Sequence, residues 1–168
     1  PNWARTMASY FVNDEIKLVS GPVYFNKQIG FFYDMQALEF ASLIGSGAGA
    51  IGIKQPIFCN GANMAYRRDT FLEINSLKDN STVSGDDVFL LHAVKEMYSN
   101  SILFAKDKET IVYTDSSHNI SSFINQRKRW AAKSSSYKDF SSIYTSYLVF
   151  LKNLYFIYLF IYLFIDIS

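Results

Sequence analysis

The sequence has a single cysteine, Cys59, among its 168 residues. One cysteine cannot form a disulfide within the chain or supply a cysteine-based zinc cluster. Neither sign of charge is in excess, since 16 Lys and Arg stand against 15 Asp and Glu and give a net charge of +1. A general nucleic-acid binder needs a broad basic surface. The composition therefore excludes a disulfide framework and argues against a nucleic-acid partner.

The two ends of the sequence also lack expected features. No initiator Met, basic leader or apolar signal core begins the chain. The other end, 164–168, stops just after an apolar run. We therefore expect both ends to be truncations of a longer protein. The remaining length is still enough for one domain with a real core.

The pattern of strands and helices favours an α/β fold. Pro22 should end or kink the first strand, because it removes a ladder donor. The Gly- and Ala-rich stretch 45–50 lacks the Gly-Lys-Ser/Thr ending of a phosphate-binding loop, and we interpret it as a flexible loop or a tight backbone crossing. The pattern predicts strands at 15–25, 101–105 and 109–114, and a loop entering a strand within 56–66. It predicts helices at 28–44, from Asp69, from 84–87 onward and at 121–137.

The C-terminal stretch 147–165 is apolar except for Lys152 and Asn153. A membrane-spanning helix needs about 20 residues, which this stretch provides if Lys152 reaches toward an interface. A buried core helix or a membrane-surface segment is the alternative. Basic residues precede the stretch, so the positive-inside rule places the preceding domain in the cytoplasm.

The acidic sequence Ser-Gly-Asp-Asp at 84–87 stands just before apolar residues at helical spacing. Adjacent carboxylates cannot share one face of a helix, so Asp86 and Asp87 should have different roles. One can accept a proton from a substrate hydroxyl, while the other caps backbone amides or pairs with a cation. The dipeptide alone is more typical of a helix-capping pair.

The basic sequence Gln-Arg-Lys-Arg-Trp at 126–130 is more specific. On a helix, Gln126, Arg129 and Trp130 share one face, because they stand at i, i+3 and i+4. Arginine can bind phosphate oxygens in a fork, and tryptophan offers a flat surface for a sugar ring. Lys128 falls on another face, toward water or lipid head groups. A basic helix on the membrane surface, with Trp130 as its anchor, is an equal alternative.

Together these motifs resemble the C-terminal half of a family-2 glycosyltransferase catalytic domain of the membrane-bound cellulose, chitin and hyaluronan synthase type. The resemblance rests on Gly-Asp-Asp at 85–87, Gln-x-x-Arg-Trp at 126–130 and the following apolar stretch. The segment 60–68, Ser-Gly-Pro-Val at 20–23 and Pro-Asn-Trp at 1–3 extend it over roughly the whole chain.

The resemblance implies a GT-A-like partial domain and inverting transfer from a nucleotide-sugar donor to a carbohydrate or lipid-linked acceptor. Asp87 matches the family's general base and Asp86 the preceding acidic position. The remaining matched residues are Gln126, Arg129 and Trp130 for the donor pyrophosphate and acceptor end, and Asn60, Gly61 and Asn63 for the acceptor-side segment.

The family also uses a divalent metal, Mg²⁺ or Mn²⁺, bound by acidic motifs in its N-terminal half. Asp14 and Glu15 do not form the Asp-x-Asp pattern, so we assign no metal ligand in this fragment. We expect those ligands mainly in the missing N-terminal half. The fragment alone should then be inactive, even if the intact protein is an enzyme.

The domain organisation predicted from these motifs has three parts: the C-terminal half of a GT-A domain at 1–120, a basic amphipathic interface helix at 121–145 and a truncated transmembrane segment at 146–168. The protein would lie in the cell (inner) membrane, in contact with membrane lipid, with its catalytic part cytoplasmic. Two alternatives stay open. One is a catalytically inactive membrane-tethered interaction module or degenerate transferase. The other is a polymerase palm hairpin at 85–87, which requires a strand on each side.

Overall fold

The structure is a computed structural model that describes residues 2–77, 87–134 and 139–165. Within these residues, helices and strands alternate along the chain. The helices are α1 (Trp3–Ser9), α2 (Phe31–Gly52), α3 (Arg68–Leu77), α4 (Asp87–Met97), α5 (Ile120–Ser134) and α6 (Phe140–Ile165). The strands are β1 (Leu18–Ser20), β2 (Val23–Phe25), β3 (Met64–Tyr66), β4 (Ile102–Phe104) and β5 (Val112–Thr114). The predicted mixture of helices and strands is confirmed.

The strands form two small sheets. In the first, β1 lies between β3 and β4, antiparallel to β3 and parallel to β4. In the second, β2 pairs with β5 in parallel, with Val23 opposite Val112. Parallel pairs need long crossover connections, and here helices lie between the paired strands in the sequence.

The predicted break in the first strand is confirmed at Gly21 and Pro22, which separate β1 from β2. The Gly21 amide donates to the Asn63 backbone oxygen at 2.8 Å. A β-carbon at position 21 would lie 2.5 Å from Asn63 Nδ2. Only glycine therefore fits at this corner without displacing Asn63.

Helix α2 continues through the stretch 45–50, where the sequence predicted a loop after a stop at Gly45. Its buried face lies at helical spacing and comprises Phe40, Ile44, Gly47 and Ile51. At Gly47 a β-carbon would lie 3.1 Å from the Phe58 backbone oxygen, so the glycine allows another chain segment to cross closely. Each internal glycine costs the helix about 1 kcal/mol relative to alanine, and the buried face outweighs that cost. The flexible-loop alternative was therefore wrong, and the tight backbone crossing is confirmed at Gly47.

Other predicted boundaries shift by a few residues. The helix expected from Asp69 begins at Arg68, with Asp69 in its first turn accepting from the Thr70 amide at 2.7 Å. The strand expected at 109–114 begins with a 3₁₀ turn, and only β5 is extended. The helix predicted at 121–137 is α5, and its last predicted residues, 135–138, lie outside the described part.

The apolar core divides into three clusters of buried side chains. The first joins β1, α4 and β4, and Leu18, Leu91 and Val94 are fully buried in it. The second packs Met7 of α1 against Val19 of β1. The third contains Val23, Phe40 and Ile44, with Phe25, Phe58, Phe104 and Trp130 packed against it. Helix α4 after Asp87 is thus part of the core, and the palm-hairpin alternative, which required a strand there, is wrong.

Helix α6 is long, apolar and exposed. Its 26 residues span about 39 Å at the usual helical rise. The stretch Phe140–Leu163 is long and apolar enough to cross a membrane. Ser142 near its start is buried, and none of the side chains from Ile143 to Leu163 is. The helix begins at Phe140, seven residues before the predicted 147–165 stretch. Its exposure contradicts the alternative of a buried core helix.

Candidate functional site

The side chain of Asp87 is held at the start of α4 by two backbone amides. Its Oδ2 accepts from the Gly61 amide at 2.5 Å, and its Oδ1 accepts from the Val88 amide at 3.1 Å. A β-carbon at position 61 would lie 3.0 Å from Asp87 Oδ2. Glycine thus lets the backbone approach the carboxylate closely. This hydrogen bond joins two of the sequence motifs, Gly-Asp-Asp and the segment from Asn60.

The segment from Asn60 to Asn63 is a tight turn that presents the Gly61 amide. Asn60 Oδ1 accepts from the Ala62 amide at 2.9 Å, which caps the 3₁₀ turn Gly61–Asn63. Cys59, just before the turn, is buried and donates from Sγ to the Asp87 backbone oxygen at 3.4 Å. The turn is therefore fastened to the start of α4 at two points.

Asn63 is a fully buried anchor beneath this turn. Its Nδ2 donates to the backbone oxygens of Pro22 and Thr110, each at 2.7 Å, and its Oδ1 accepts from Trp3 Nε1 at 3.0 Å. Both amide protons and the carbonyl oxygen are thereby used inside the protein. The side chain of Asn63 supports the predicted acceptor-side segment from below, while Asn60 and Gly61 form its outer part.

Helix α5 is fastened to α2 by Arg127, a residue for which the sequence indicated no role. Its guanidinium binds both carboxylate oxygens of Glu39 and donates to Gln126 Oε1 at 2.9 Å. It also lies 4.3 Å from the Trp130 ring centroid and 4.5 Å from that of Phe123. The spacing of Phe123, Arg127 and Trp130, at i, i+4 and i+7, was a signal for this stack.

The three predicted donor-side residues lie in different environments. Trp130 is half-buried against the third cluster, with its ring centroid 6.4 Å from that of Phe40. Gln126 is also half-buried and is engaged by Arg127. Arg129 is exposed and makes no hydrogen bond or ion pair with the residues that the structure describes. Arg129 and Lys128 are thus the exposed cations of this motif, and of the two only Arg129 shares the helix face of Gln126 and Trp130.

The third cluster connects the two halves of the candidate site. Phe58 and Trp130 both pack against it, so the segment leading to Gly61 and helix α5 share one apolar support. Asp87 is hydrogen-bonded to the amide of Gly61, three residues after Phe58.

Asp86 lies outside the described residues. Across the described ranges, no group of three or more His, Cys, Asp or Glu side chains is arranged to hold a metal ion.

A second polar cluster joins α4 to the start of α6. Lys95 Nζ lies 2.7 Å from Asp139 Oδ1, and the Ser142 hydroxyl lies 3.0 Å from both His92 Nε2 and Asp139 Oδ2. Burial opposes ionisation of Asp139, but hydrogen bonds from Lys95 and Ser142 outweigh it and hold the pKa of Asp139 below its ordinary value. The serine lies between the histidine and the carboxylate, so this is not a hydrolase triad, in which histidine contacts both.

These observations define a mixed α/β protein with a carboxylate fixed at a helix start, a basic tryptophan-containing helix and a long apolar helix at its C-terminal end. The chain belongs to glycosyl transferase family group 2, whose model matches residues 1–167. A search of the curated proteins finds no matching relative. The predicted family-2 membership is confirmed, and with it glycosyl transfer as the general activity, from a nucleotide-sugar donor to an acceptor.

Proposed function

We propose that this chain is the acceptor-activating part of an inverting, membrane-bound glycosyltransferase and that Asp87 is its general base. The observation that carries the proposal is the hydrogen bond from the Gly61 amide to Asp87 Oδ2. It fixes one carboxylate oxygen at a helix start, and it does so through the segment that the resemblance assigns to the acceptor. The positive end of the α4 dipole favours a negative charge at this position.

The chemistry requires such a group because a sugar hydroxyl is a poor nucleophile. Asp87 accepts the hydroxyl proton while the acceptor oxygen bonds to the anomeric carbon of the donor sugar. The bond from that carbon to the diphosphate breaks, and the nucleoside diphosphate leaves with the electron pair. Attack from the face opposite the leaving group inverts the anomeric centre.

The donor diphosphate is assigned to the exposed side of α5. Arg129 is free to form a forked contact with phosphate oxygens, and such contacts steady the charge that develops on the leaving group. Trp130 and Gln126 border it and would frame the acceptor end. Arg127 is committed to Glu39, so it supports the helix rather than the donor. The predicted Mg²⁺ or Mn²⁺ stays a prediction, and no step proposed here passes through it.

The membrane placement rests on α6. Phe140–Leu163 would span the bilayer of the cell (inner) membrane, and its apolar side chains face outward, as lipid contact requires. The basic residues of α5 precede it, which favours a cytoplasmic catalytic part. An acceptor that is a carbohydrate or is linked to a lipid fits an enzyme held at this surface.

The test is Asp87→Asn in the full-length protein in its membrane. The amide keeps the size of the side chain but cannot take the proton, so transfer should fall by about a hundredfold or more while nucleotide-sugar binding is retained. Asp69→Asn is the matched control, because Asp69 stands in the first turn of α3 and its side chain also accepts a hydrogen bond from the next backbone amide. The control should keep its activity.

A second pair of variants tests the donor side. Arg129→Ala should weaken nucleotide-sugar binding about tenfold or more, since water does not replace a forked phosphate contact. Lys128→Ala, one residue earlier and also exposed, is its control. Unchanged donor affinity in Arg129→Ala would remove that residue from the site. Full transfer by Asp87→Asn would show that Asp87 is not the general base. Absence of transfer by the unaltered full-length protein would instead favour the inactive interaction module or degenerate transferase.

A further inference from the structure

The polar cluster between α4 and α6 connects more than two helices. The Ser142 hydroxyl lies 3.3 Å from the Ile57 backbone oxygen as well as 3.0 Å from Asp139 Oδ2 and from His92 Nε2. Ile57 begins the segment that runs through Cys59 to Gly61. Ser142 thus contacts both α4 and the segment whose Gly61 amide binds Asp87, and it belongs to α6 itself.

The hydrogen-bond donors in this cluster can be assigned by counting protons. Ser142 has one hydroxyl proton, and two of its neighbours, the Asp139 carboxylate and the Ile57 carbonyl, can only accept. If His92 Nε2 also accepted, three acceptors would surround one proton. The arrangement is satisfied when His92 Nε2 carries a proton and donates to Ser142. The Ser142 hydroxyl then shares its proton, in a three-centre hydrogen bond, between the Ile57 carbonyl and Asp139, whose charge is balanced by Lys95.

This chain of hydrogen bonds contacts both structures that position Asp87, which are helix α4 and the segment that leads to Gly61. On one side, His92 and Lys95 fix α4, whose first residue is Asp87; His92 lies about 7.5 Å from that end along the helix axis. On the other side, Ser142 holds Ile57, four residues before the Gly61 amide that binds Asp87 Oδ2. A shift of α4 against the segment would change that hydrogen bond directly.

We propose that His92 is a positioning residue, which sets the orientation of the Asp87 carboxylate through Ser142 and the segment 57–61. Its effect on catalysis rests on the proposed function, but its effect on geometry does not. A misplacement of a reacting group by about 1 Å can cost a hundredfold in rate. His92 contacts neither donor nor acceptor in this account, so its loss should change kcat and leave the KM for the donor alone.

The experiment compares His92→Leu with His92→Gln in the full-length protein in its membrane. Leucine removes the donor, and kcat should fall about ten- to a hundredfold with the donor KM within about twofold. Glutamine places an amide donor near the position of Nε2 and should recover most of that loss. Ser142→Ala is a smaller change that breaks the same relay, and it should reproduce the leucine phenotype if His92→Leu folds poorly. His118→Leu, at an exposed histidine, is the control.

A second readout does not depend on catalysis. Hydrogen exchange at the Gly61 amide reports the bond to Asp87, so exchange should accelerate about tenfold or more in His92→Leu and in Ser142→Ala, and return in His92→Gln. A fall in thermal stability with unchanged kcat and unchanged Gly61 exchange would overturn the positioning role. If Asp87→Asn retains transfer, the general-base proposal fails, and the Gly61 exchange still decides whether His92 positions the carboxylate.

Discussion

A single methyl group at Gly21 tests how the corner beneath the candidate site is built. In Gly21→Ala the new β-carbon would lie 2.5 Å from Asn63 Nδ2, 2.8 Å from Cγ and 2.9 Å from Oδ1. Real contacts of this kind are longer, so Asn63 must move. It cannot move freely, because it is fully buried and its side-chain amide donates hydrogen bonds to the backbone oxygens of Pro22 and Thr110, each at 2.7 Å.

The cost follows from those bonds. Two buried carbonyl oxygens would lose their donor, and each buried acceptor left unpaired costs about 1–3 kcal/mol. We therefore expect Gly21→Ala to lower the free energy of unfolding by about 2–6 kcal/mol. The measurement is urea unfolding in detergent micelles, followed by far-ultraviolet circular dichroism.

The matched control is the same substitution on α2. At Gly49 a β-carbon would meet no atom of the described residues within 4 Å, outside the helix's own neighbouring backbone. Alanine is the better helix former, so Gly49→Ala should raise stability by about 0.5–1 kcal/mol. If Gly21→Ala is as stable as wild type while Gly49→Ala behaves as expected, the account of Asn63 as a rigid anchor is refuted.

Two further predictions concern charged contacts. Arg127→Ala removes the forked bond to Glu39 and the stack on Trp130, so α5 should loosen and stability should fall by about 1–3 kcal/mol by thermal unfolding, whereas Lys128→Ala should change it little. The pKa of Asp139 in the folded protein lies below its ordinary value of 3.8, so its contact with Lys95 contributes stability at neutral pH that is lost as pH falls through the folded pKa. Asp139→Asn should remove this part of the loss of stability at acid pH. A stability that still falls as much in the variant contradicts the assignment.

The sequence predicted the features that depend on local signals. Pro22 broke the first strand as expected, because a residue without an amide proton cannot continue a ladder. The apolar spacing of Leu90, Leu91 and Val94 predicted the helix after Asp87, and α4 buries those residues. The apolar stretch before 165 predicted a long helix, which α6 confirms. Each of these signals lies in the element that it predicted or directly beside it.

Features that depend on distant contacts were not predictable from the sequence. The glycines of α2 indicated a loop or a tight crossing, but not that the helix continues through them, because the segment that crosses there, at Phe58, lies far away in the sequence. Arg127 pairs with Glu39, 88 positions away, and nothing near either residue indicates the other. The motif Asn-Gly-Ala-Asn singled out the segment 60–63, but only the partners of Asn63 show that its side chain faces the interior. Tertiary contacts override local propensity in all three cases.

Two glycines set the spacing between the sheet and the start of α4. Gly21 lets β1 turn against Asn63, and Gly61, two residues before Asn63, lets its own amide meet Asp87 Oδ2. A side chain at position 21 would push Asn63 outward, and one at position 61 would push the carboxylate away. Since hydrogen bonds from the Ala62 and Asn63 amides to Asn60 close the Gly61–Asn63 turn, a displacement of Asn63 should reach Asp87. Gly21→Ala should then accelerate hydrogen exchange at the Gly61 amide as well as lower stability. Gly49→Ala should leave that exchange unchanged. Equal exchange in both variants would show that the positions of Asn63 and of the Asp87 carboxylate are independent.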